Sequence, residues 1–116
     1  MNGKEAERWA SEFLERQGLK PVAMNYRCRL GEIDLVMQDG ETLVFVEVRQ
    51  RSNAGFGGAA ASIDRHKQHR IILAARHYLS GLRRMPPCRF DVVLMDDERG
   101  LNAEWIRNAF DAGSPL

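Results

Sequence analysis

Three acids and two arginines recur at two-residue intervals along two neighbouring apolar segments. Glu32 and Asp34 lie in the first segment, and Glu47, Arg49 and Arg51 lie in the second. Because side chains alternate across a β-strand, residues two positions apart point to the same face. Charges within such apolar segments are costly unless they are paired or bind a metal. The pattern therefore predicts a polar site on one face of a sheet, with carboxylates suited to a hard divalent cation.

A tight turn between the two segments would bring the acids together. Asp39-Gly40 is typical of a type I′ turn and predicts a hairpin. A two-residue loop there pairs Glu32 with Glu47 and keeps Asp34 on the same face. The same register sets Asp34 opposite Phe45, whereas a three-residue loop would separate Asp34 from Glu47.

Acids that face one another across a hairpin repel, and a metal would offset that repulsion. We expect Mg²⁺ or Mn²⁺ as the cofactor, bound by Asp34, Glu47 and Glu32. The alternative is an exposed polar face whose acids are solvated.

The composition is that of an ordinary globular protein, with 116 residues of which 44% are hydrophobic and 28% charged. One domain spanning residues 1–116 is expected. The first residues contain no long apolar run, so neither a signal peptide nor a membrane span is predicted. Cys28 and Cys88 lack metal-site spacing and favour free thiols in a reducing cytoplasm.

The net charge of +1 conceals a strong segregation of charge along the chain. Residues 1–48 carry a net charge of −3, residues 49–91 carry +7, and residues 92–116 carry −3. The central segment could therefore supply a phosphate-binding face for DNA. The alternative is a solvated helix surface.

The first element is predicted to be an amphipathic helix. Asn2 and Glu5 resemble a capping box at its start, and Gly18 suits the position just after its end. Glu5 could instead serve the acid site, and both interpretations stay open. The buried stripe follows helical spacing and comprises Ala6, Trp9, Ala10, Phe13 and Leu14.

Extended segments are predicted near residues 22–29, 32–38 and 42–51, followed by a glycine-rich loop over residues 52–61. The loop is either a simple connector or a flap that lets a polymer approach the acids. It lacks the Gly-Lys-Ser/Thr ending of a phosphate-binding P-loop.

A second helix is predicted from a cap at Ser62 to about Leu82. Lys67 extends its buried stripe, so its ammonium could reach the acid site or a phosphate, or extend to solvent. Arg65 and Arg70 lie on other faces of this helix. Together with Arg51 and Lys67, they are the candidate nucleic-acid contacts.

A further strand is predicted over residues 89–96, after Pro86-Pro87, with Asp91 in a structural pair with Arg89 or another arginine. The segment over residues 101–110 fits either a helix or a strand. The order α-β-β-β-α-β predicts an α/β fold, a mixed β-sheet core flanked by helices.

Carboxylates in the middle of a sheet, beside a basic strand end, suit metal-assisted hydrolysis of phosphodiester bonds. A lysine two residues after the second acid often accompanies such sites, and Arg49 occupies that position here. An arginine stays protonated and cannot act as a general base, although it can stabilise charge that develops on a phosphate. Lys67 is the candidate for the missing ammonium.

A family resemblance covers almost the whole chain. The segments GEIDLV, FVEVRQR, FGGAAASIDRHKQ, RFDVV and NAF resemble the YraN-like family. That family is similar to archaeal Holliday-junction resolvases and belongs to the restriction-endonuclease-like superfamily. The resemblance implies a restriction-endonuclease-like mixed sheet with flanking helices and a Mg²⁺-dependent nuclease site.

The resemblance also assigns roles to individual residues. It implies that Asp34 and Glu47 are the two metal-binding acids and that Arg49 stands in place of the usual lysine. Glu5 matches the first-helix glutamate near the metal, and Glu32 matches the family's GEID acid.

The expected activity is cleavage of branched or single-stranded DNA, by a homodimer if the analogy with symmetric resolvases holds. The alternatives are a catalytically silent nucleic-acid-binding module and a protein adaptor in DNA processing.

Overall fold

Residues 2–51, 63–96 and 102–113 are described by the computed structural model, without the side chains of Arg51 and Asp96. These residues form two helices and five strands, and neither helix is long and apolar enough to cross a membrane. The predicted α/β class and element order are confirmed, and the segment whose type was open is a fifth strand. The elements are α1 (Gly3–Arg16), β1 (Lys20–Cys28), β2 (Gly31–Asp39), β3 (Thr42–Arg51), α2 (Arg65–Leu79), β4 (Cys88–Asp96) and β5 (Ala103–Phe110).

The strands form one mixed sheet in the order β1-β2-β3-β4-β5. Strands β3 and β4 are parallel, whereas the other neighbouring pairs are antiparallel. A parallel pair needs a long crossover connection, and α2 lies within that connection. The sheet is thus mixed, because α2 connects the antiparallel unit β1-β2-β3 to the antiparallel pair β4-β5.

Both faces of the sheet are buried, one under each helix. This burial explains why the central strands read as continuous apolar runs rather than as alternating patterns. The cluster under α2 includes Val36, Phe45, Phe90, Val92, Ile71 and Ala75. The cluster under α1 includes Leu35, Val44, Val46, Val93, Ala10 and Leu14.

The predicted ends of α1 are confirmed. The side chain of Asn2 accepts a hydrogen bond from the Glu5 amide at 2.9 Å and donates one to Glu5 Oε1 at 3.0 Å. Gly18 follows the helix with a φ of 103°, a left-handed conformation that favours glycine. The capping box therefore explains the presence of a glutamate at position 5 without a role in the acid site.

The hairpin between β2 and β3 has the predicted two-residue loop but a different register. Its loop is Gly40–Glu41, because Asp39 pairs with Thr42. Gly40 supplies a positive φ of 60° at the first loop position rather than the second. The predicted pairings of Asp34 with Phe45 and of Glu32 with Glu47 are therefore wrong, since Val36 lies opposite Phe45 and the ladder ends at the pair Leu35–Val46.

The predicted limits of α2 are also corrected. The helix begins after Asp64, whose carboxylate accepts a hydrogen bond from the Lys67 amide at 2.8 Å and caps the first turn. It ends at Leu79, and Leu82 is 41% exposed. Ser62 and the glycine-rich loop lie outside the described residues.

Asp91 ties β5 to β4, and its predicted pair with Arg89 is confirmed. The Asp91 side chain is fully buried. Its oxygens accept hydrogen bonds from Arg89 Nε at 3.0 Å, Trp105 Nε1 at 2.9 Å and the Asn108 amide at 3.1 Å. Asp91 is therefore a structural acid.

Candidate functional site

Asp34 lies where β2 and β3 separate. The β2–β3 ladder extends as far as the pair Leu35–Val46. Beyond that pair, the backbone amide of Val48 donates to Asp34 Oδ2 at 2.9 Å, so a side-chain carboxylate takes the place of a backbone acceptor. The position of Asp34 is therefore fixed by the backbone of the neighbouring strand.

Glu47 is a buried carboxylate beside Asp34. It is 3% exposed, and Lys67 Nζ lies 3.1 Å from its Oε2. That contact is an ion pair, and no better-aligned donor to Oε2 is found among the described residues. Burial, reinforced by Asp34, raises the pKa of Glu47 to about 8, although Lys67 opposes the change.

Glu7 of α1 brings a third acid to Asp34. Burial and the neighbouring charge of Asp34 raise the pKa of Glu7, while the side chain of Asn25 opposes that rise. Among the described residues, Glu7 Oε1 is buried without a hydrogen-bond donor. Asp34 is thus the shared neighbour of one acid from α1 and one acid from β3.

Two acids that were predicted to belong to the site, Glu5 and Glu32, make their contacts with residues outside it. Glu5 is exposed and engaged with Asn2 in the capping box. Glu32 is half-exposed and forms an ion pair with Arg27, with 3.2 Å between Oε2 and Nε. Glu32 remains close enough for its charge to contribute to the raised pKa of Glu7.

The predicted basic residues fall into two groups. Lys67 reaches the acids through its contact with Glu47, and Arg49 is half-buried two residues after Glu47 on β3. Arg65 and Arg70 are exposed on α2, away from that contact. The side chain of Arg51 lies outside the described residues.

Residues 6–95 match the uncharacterised protein family UPF0102. The chain belongs to this family. A UPF0102 protein of Nitrosospira multiformis is 58% identical to it, covering 96% of this chain and 93% of the relative. A UPF0102 protein of Cupriavidus taiwanensis is 63% identical, covering 95% of this chain and 82% of the relative. The matched residues include the whole acid site, namely Glu7, Asp34, Glu47 and Lys67.

Sequence reasoning missed Glu7 in this UPF0102 protein, although a signal for it existed. Glu7 precedes the buried residues Ala10 and Leu14 by three and seven positions. Helical periodicity therefore places it on the flank of the buried stripe, facing the sheet. The first-helix glutamate near the metal was instead assigned to Glu5, two residues earlier.

The acids suit a divalent cation chemically, although they are not preassembled around one. Among the described residues, no group of three His, Cys, Asp or Glu side chains is arranged to hold a metal ion. Yet the buried Glu7 Oε1 lacks a hydrogen-bond donor in the described structure, and Glu47 Oε2 meets the Lys67 ammonium at 3.1 Å in an ion pair. Hard cations take carboxylate oxygens, and a cation beside Asp34 would relieve the repulsion that adds to burial in raising both pKa values. The donor set therefore fits Mg²⁺ or Mn²⁺.

Proposed function

We propose that this UPF0102 protein is a metal-dependent endonuclease that hydrolyses phosphodiester bonds in DNA, at branched or single-stranded sites. The observation that carries the proposal is the meeting of Asp34 and buried Glu47 where two strands separate, with Lys67 against Glu47. The restriction-endonuclease-like resemblance of the sequence is consistent with the mixed sheet. Strongly perturbed carboxylates beside a lysine are typical of catalytic sites.

In this proposal Asp34 and Glu47 hold Mg²⁺ or Mn²⁺, and Glu7 completes the acidic site from α1. The bound metal would polarise the scissile phosphate and lower the pKa of a coordinated water. The Val48 amide keeps Asp34 in place through its hydrogen bond. Glu32, the third ligand predicted from sequence, is held by Arg27 at the edge of the site.

Lys67 has two successive roles in the proposed site. Without metal, its ammonium lies 3.1 Å from Glu47 Oε2 and opposes the rise that burial causes in the pKa of that carboxyl. With a cation held by Asp34 and Glu47, the Lys67 ammonium would be free to donate hydrogen bonds to the attacking water or to a phosphate oxygen. Arg49, a permanent cation on β3, would stabilise the negative charge that develops on the phosphate.

The direct test is incubation of the purified protein with branched, nicked and single-stranded DNA in Mg²⁺ or Mn²⁺. We expect cleavage that EDTA abolishes and that Asp34→Ala reduces at least about 100-fold, in the range for loss of an essential electrostatic group. Cleavage by Asp34→Ala as fast as by the natural sequence would overturn the proposal and indicate a contaminating nuclease.

A second function, a nucleic-acid-binding module or adaptor without catalysis, is favoured by one observation. Arg49 stands where related nucleases carry a lysine, and an arginine cannot become a general base. This alternative predicts salt-sensitive DNA binding without cleavage, and turnover that appears in Arg49→Lys. Efficient cleavage by the natural sequence would exclude it. A homodimer, proposed by analogy with resolvases, is testable by sedimentation with and without branched DNA.

A further inference from the structure

The outward face of α2 carries a row of basic side chains. Residues at helical spacing along this face are exposed, and we call them the α2 basic strip: His66, His69, Arg70, Arg76 and His77. Arg65 borders the strip at one end, and exposed Arg83 and Arg84 follow the other end of the helix.

The strip is not neutralised by acids. Residues 65–90 contain seven lysines and arginines, three histidines and no aspartate or glutamate. Among the described residues, no carboxylate forms an ion pair with Arg65, Arg70 or Arg76. By contrast, α1 interleaves three basic with four acidic residues. An exposed helix stabilised by its own side chains usually mixes both signs of charge, as α1 does.

The start of α2 is also unfavourable for cations. Arg65 and Lys67 lie in its first turn, which contains no acid beyond the capping carboxylate of Asp64. Positive charges there oppose the helix dipole, whereas acids would be stabilising. These cations therefore weaken the isolated helix, and a bound polyanion would offset that cost.

We propose that the α2 basic strip docks the phosphate backbone of a nucleic acid, independently of whether the chain cleaves it. The occupant is a nucleic acid rather than a membrane, because the apolar face of α2 is committed to the core and the exposed large hydrophobic side chains nearest to it, Leu82 and Met85, lie beyond the end of the helix. Unpaired arginines suit phosphate oxygens, which they bind through a planar fork of donors.

The dimensions of α2 fit a stretch of backbone. Its 15 residues span roughly 22 Å, which is about six phosphates along one strand of duplex. Lys67 lies about a third of a turn around the helix from the strip, against Glu47. The same helix would therefore hold the backbone on one side and present its ammonium to the acid site on another.

The test compares two double variants with the same change in net charge. Arg70→Gln/Arg76→Gln removes two cations from the strip, and Arg8→Gln/Arg16→Gln removes two exposed cations from α1 on the other face of the sheet. Binding of labelled single-stranded, duplex and branched DNA is measured by fluorescence anisotropy in EDTA over a series of KCl concentrations. EDTA prevents cleavage, so failure of the proposed nuclease activity leaves this test unaffected.

We expect the strip variant to bind at least about tenfold more weakly near 0.1 M salt and to lose roughly 1.8 from the slope of log K against log salt. The α1 variant should stay within about twofold of the natural sequence, and thermal unfolding should show that both variants fold. Equal weakening by both variants, or no binding of the natural sequence even at low salt, would overturn the proposal. So would strip-dependent binding to acidic phospholipid vesicles without binding to DNA.

Discussion

The backbone amide of Val48 donates to the carboxylate of Asp34 across 2.9 Å, at the point where β2 leaves β3. One acid thus serves both as a backbone acceptor and as the neighbour whose charge adds to burial in raising the pKa values of Glu47 and Glu7. The structural and electrostatic roles of Asp34 are therefore separable by substitution.

Asp34→Asn should abolish metal binding without loss of stability. The amide oxygen can still accept from Val48, whereas the negative charge that repels Glu47 is gone. Asp34→Ala removes both the hydrogen-bond acceptor and the negative charge. We expect it to lower the free energy of unfolding by about 1–2 kcal/mol relative to Asp34→Asn, because the Val48 amide loses its acceptor. Urea denaturation and Mn²⁺ titration of both variants check this, and equal stability of the two would contradict it.

The free energy of unfolding should fall as pH rises from 4.5 to about 8. The ordinary pKa of Glu47 is 4.5, and the folded protein raises it to about 8, so folding opposes ionisation throughout that interval. Each pKa unit corresponds to about 1.4 kcal/mol, which sets an upper limit on the order of 5 kcal/mol for the loss. Below the unfolded value the carboxyl is protonated in both states and the contribution is constant. Denaturation of Glu47→Gln should show a flatter pH profile, and identical profiles would exclude Glu47 as the cause.

Metal binding at neutral pH should release a proton from Glu47. A cation binds the ionised carboxylate, while the raised pKa favours the protonated form before binding. Calorimetric titration with Mn²⁺ near pH 7, in buffers of different ionisation enthalpy, should give close to one proton per metal. Proton release that persists in Glu47→Gln would assign the proton to another group.

Substitution of two glutamates of α1, two residues apart, should have different effects on metal affinity. Glu7→Gln should weaken Mn²⁺ binding by roughly tenfold or more, because Glu7 lies against Asp34. Glu5→Gln is the matched control, since its side chain belongs to the capping box, where glutamine also fits. We expect it to retain metal affinity within about twofold. The reverse ranking would restore Glu5 to the role that the sequence resemblance assigned to it.

The fold was predictable because its signals are local. Helical spacing identified both helices, and apolar runs bounded by turn residues identified the strands up to β4. The register of β2 against β3 was not predictable, because a glycine can take either position of a two-residue loop. Moving Gly40 from the second position to the first shifts the acids of β2 by two residues relative to β3. The ambiguous segment became β5 through a long-range cause, since Trp105 and Asn108 bond to Asp91. Glu7 was missed because its contact with Asp34 joins elements that are distant in sequence.

Asp91→Ala should cost about 3–5 kcal/mol in the free energy of unfolding, which is typical for breaking a buried ion pair. Among the described residues it would leave Arg89 with the carboxylate of Asp39, 2.9 Å from its Nη2, and it would remove the acceptor of Trp105 Nε1. Asp39→Asn is the control. Because the Asp39 side chain is a third exposed, this substitution should lower the free energy of unfolding by less than about 1 kcal/mol. Chemical denaturation with tryptophan fluorescence measures both, and a mild effect of Asp91→Ala would argue against its role as the anchor of β5.

Gly31→Ala should destabilise the protein and disturb the acid site together. A Cβ atom at Gly31 would lie 2.1 Å from the backbone oxygen of Arg70, so α2 or β2 must move to accommodate it. Since Arg70 is one turn from Lys67, that movement should also displace the ammonium from Glu47. We expect a loss of about 1–3 kcal/mol, as for other overpacked sites, measured by denaturation. Gly3→Ala is the matched control, because a Cβ there meets nothing within 4 Å and alanine favours the first turn of α1. If Gly31→Ala lowered stability while leaving the pH profile of Glu47 intact, the contact between β2 and α2 would support the fold without positioning Lys67.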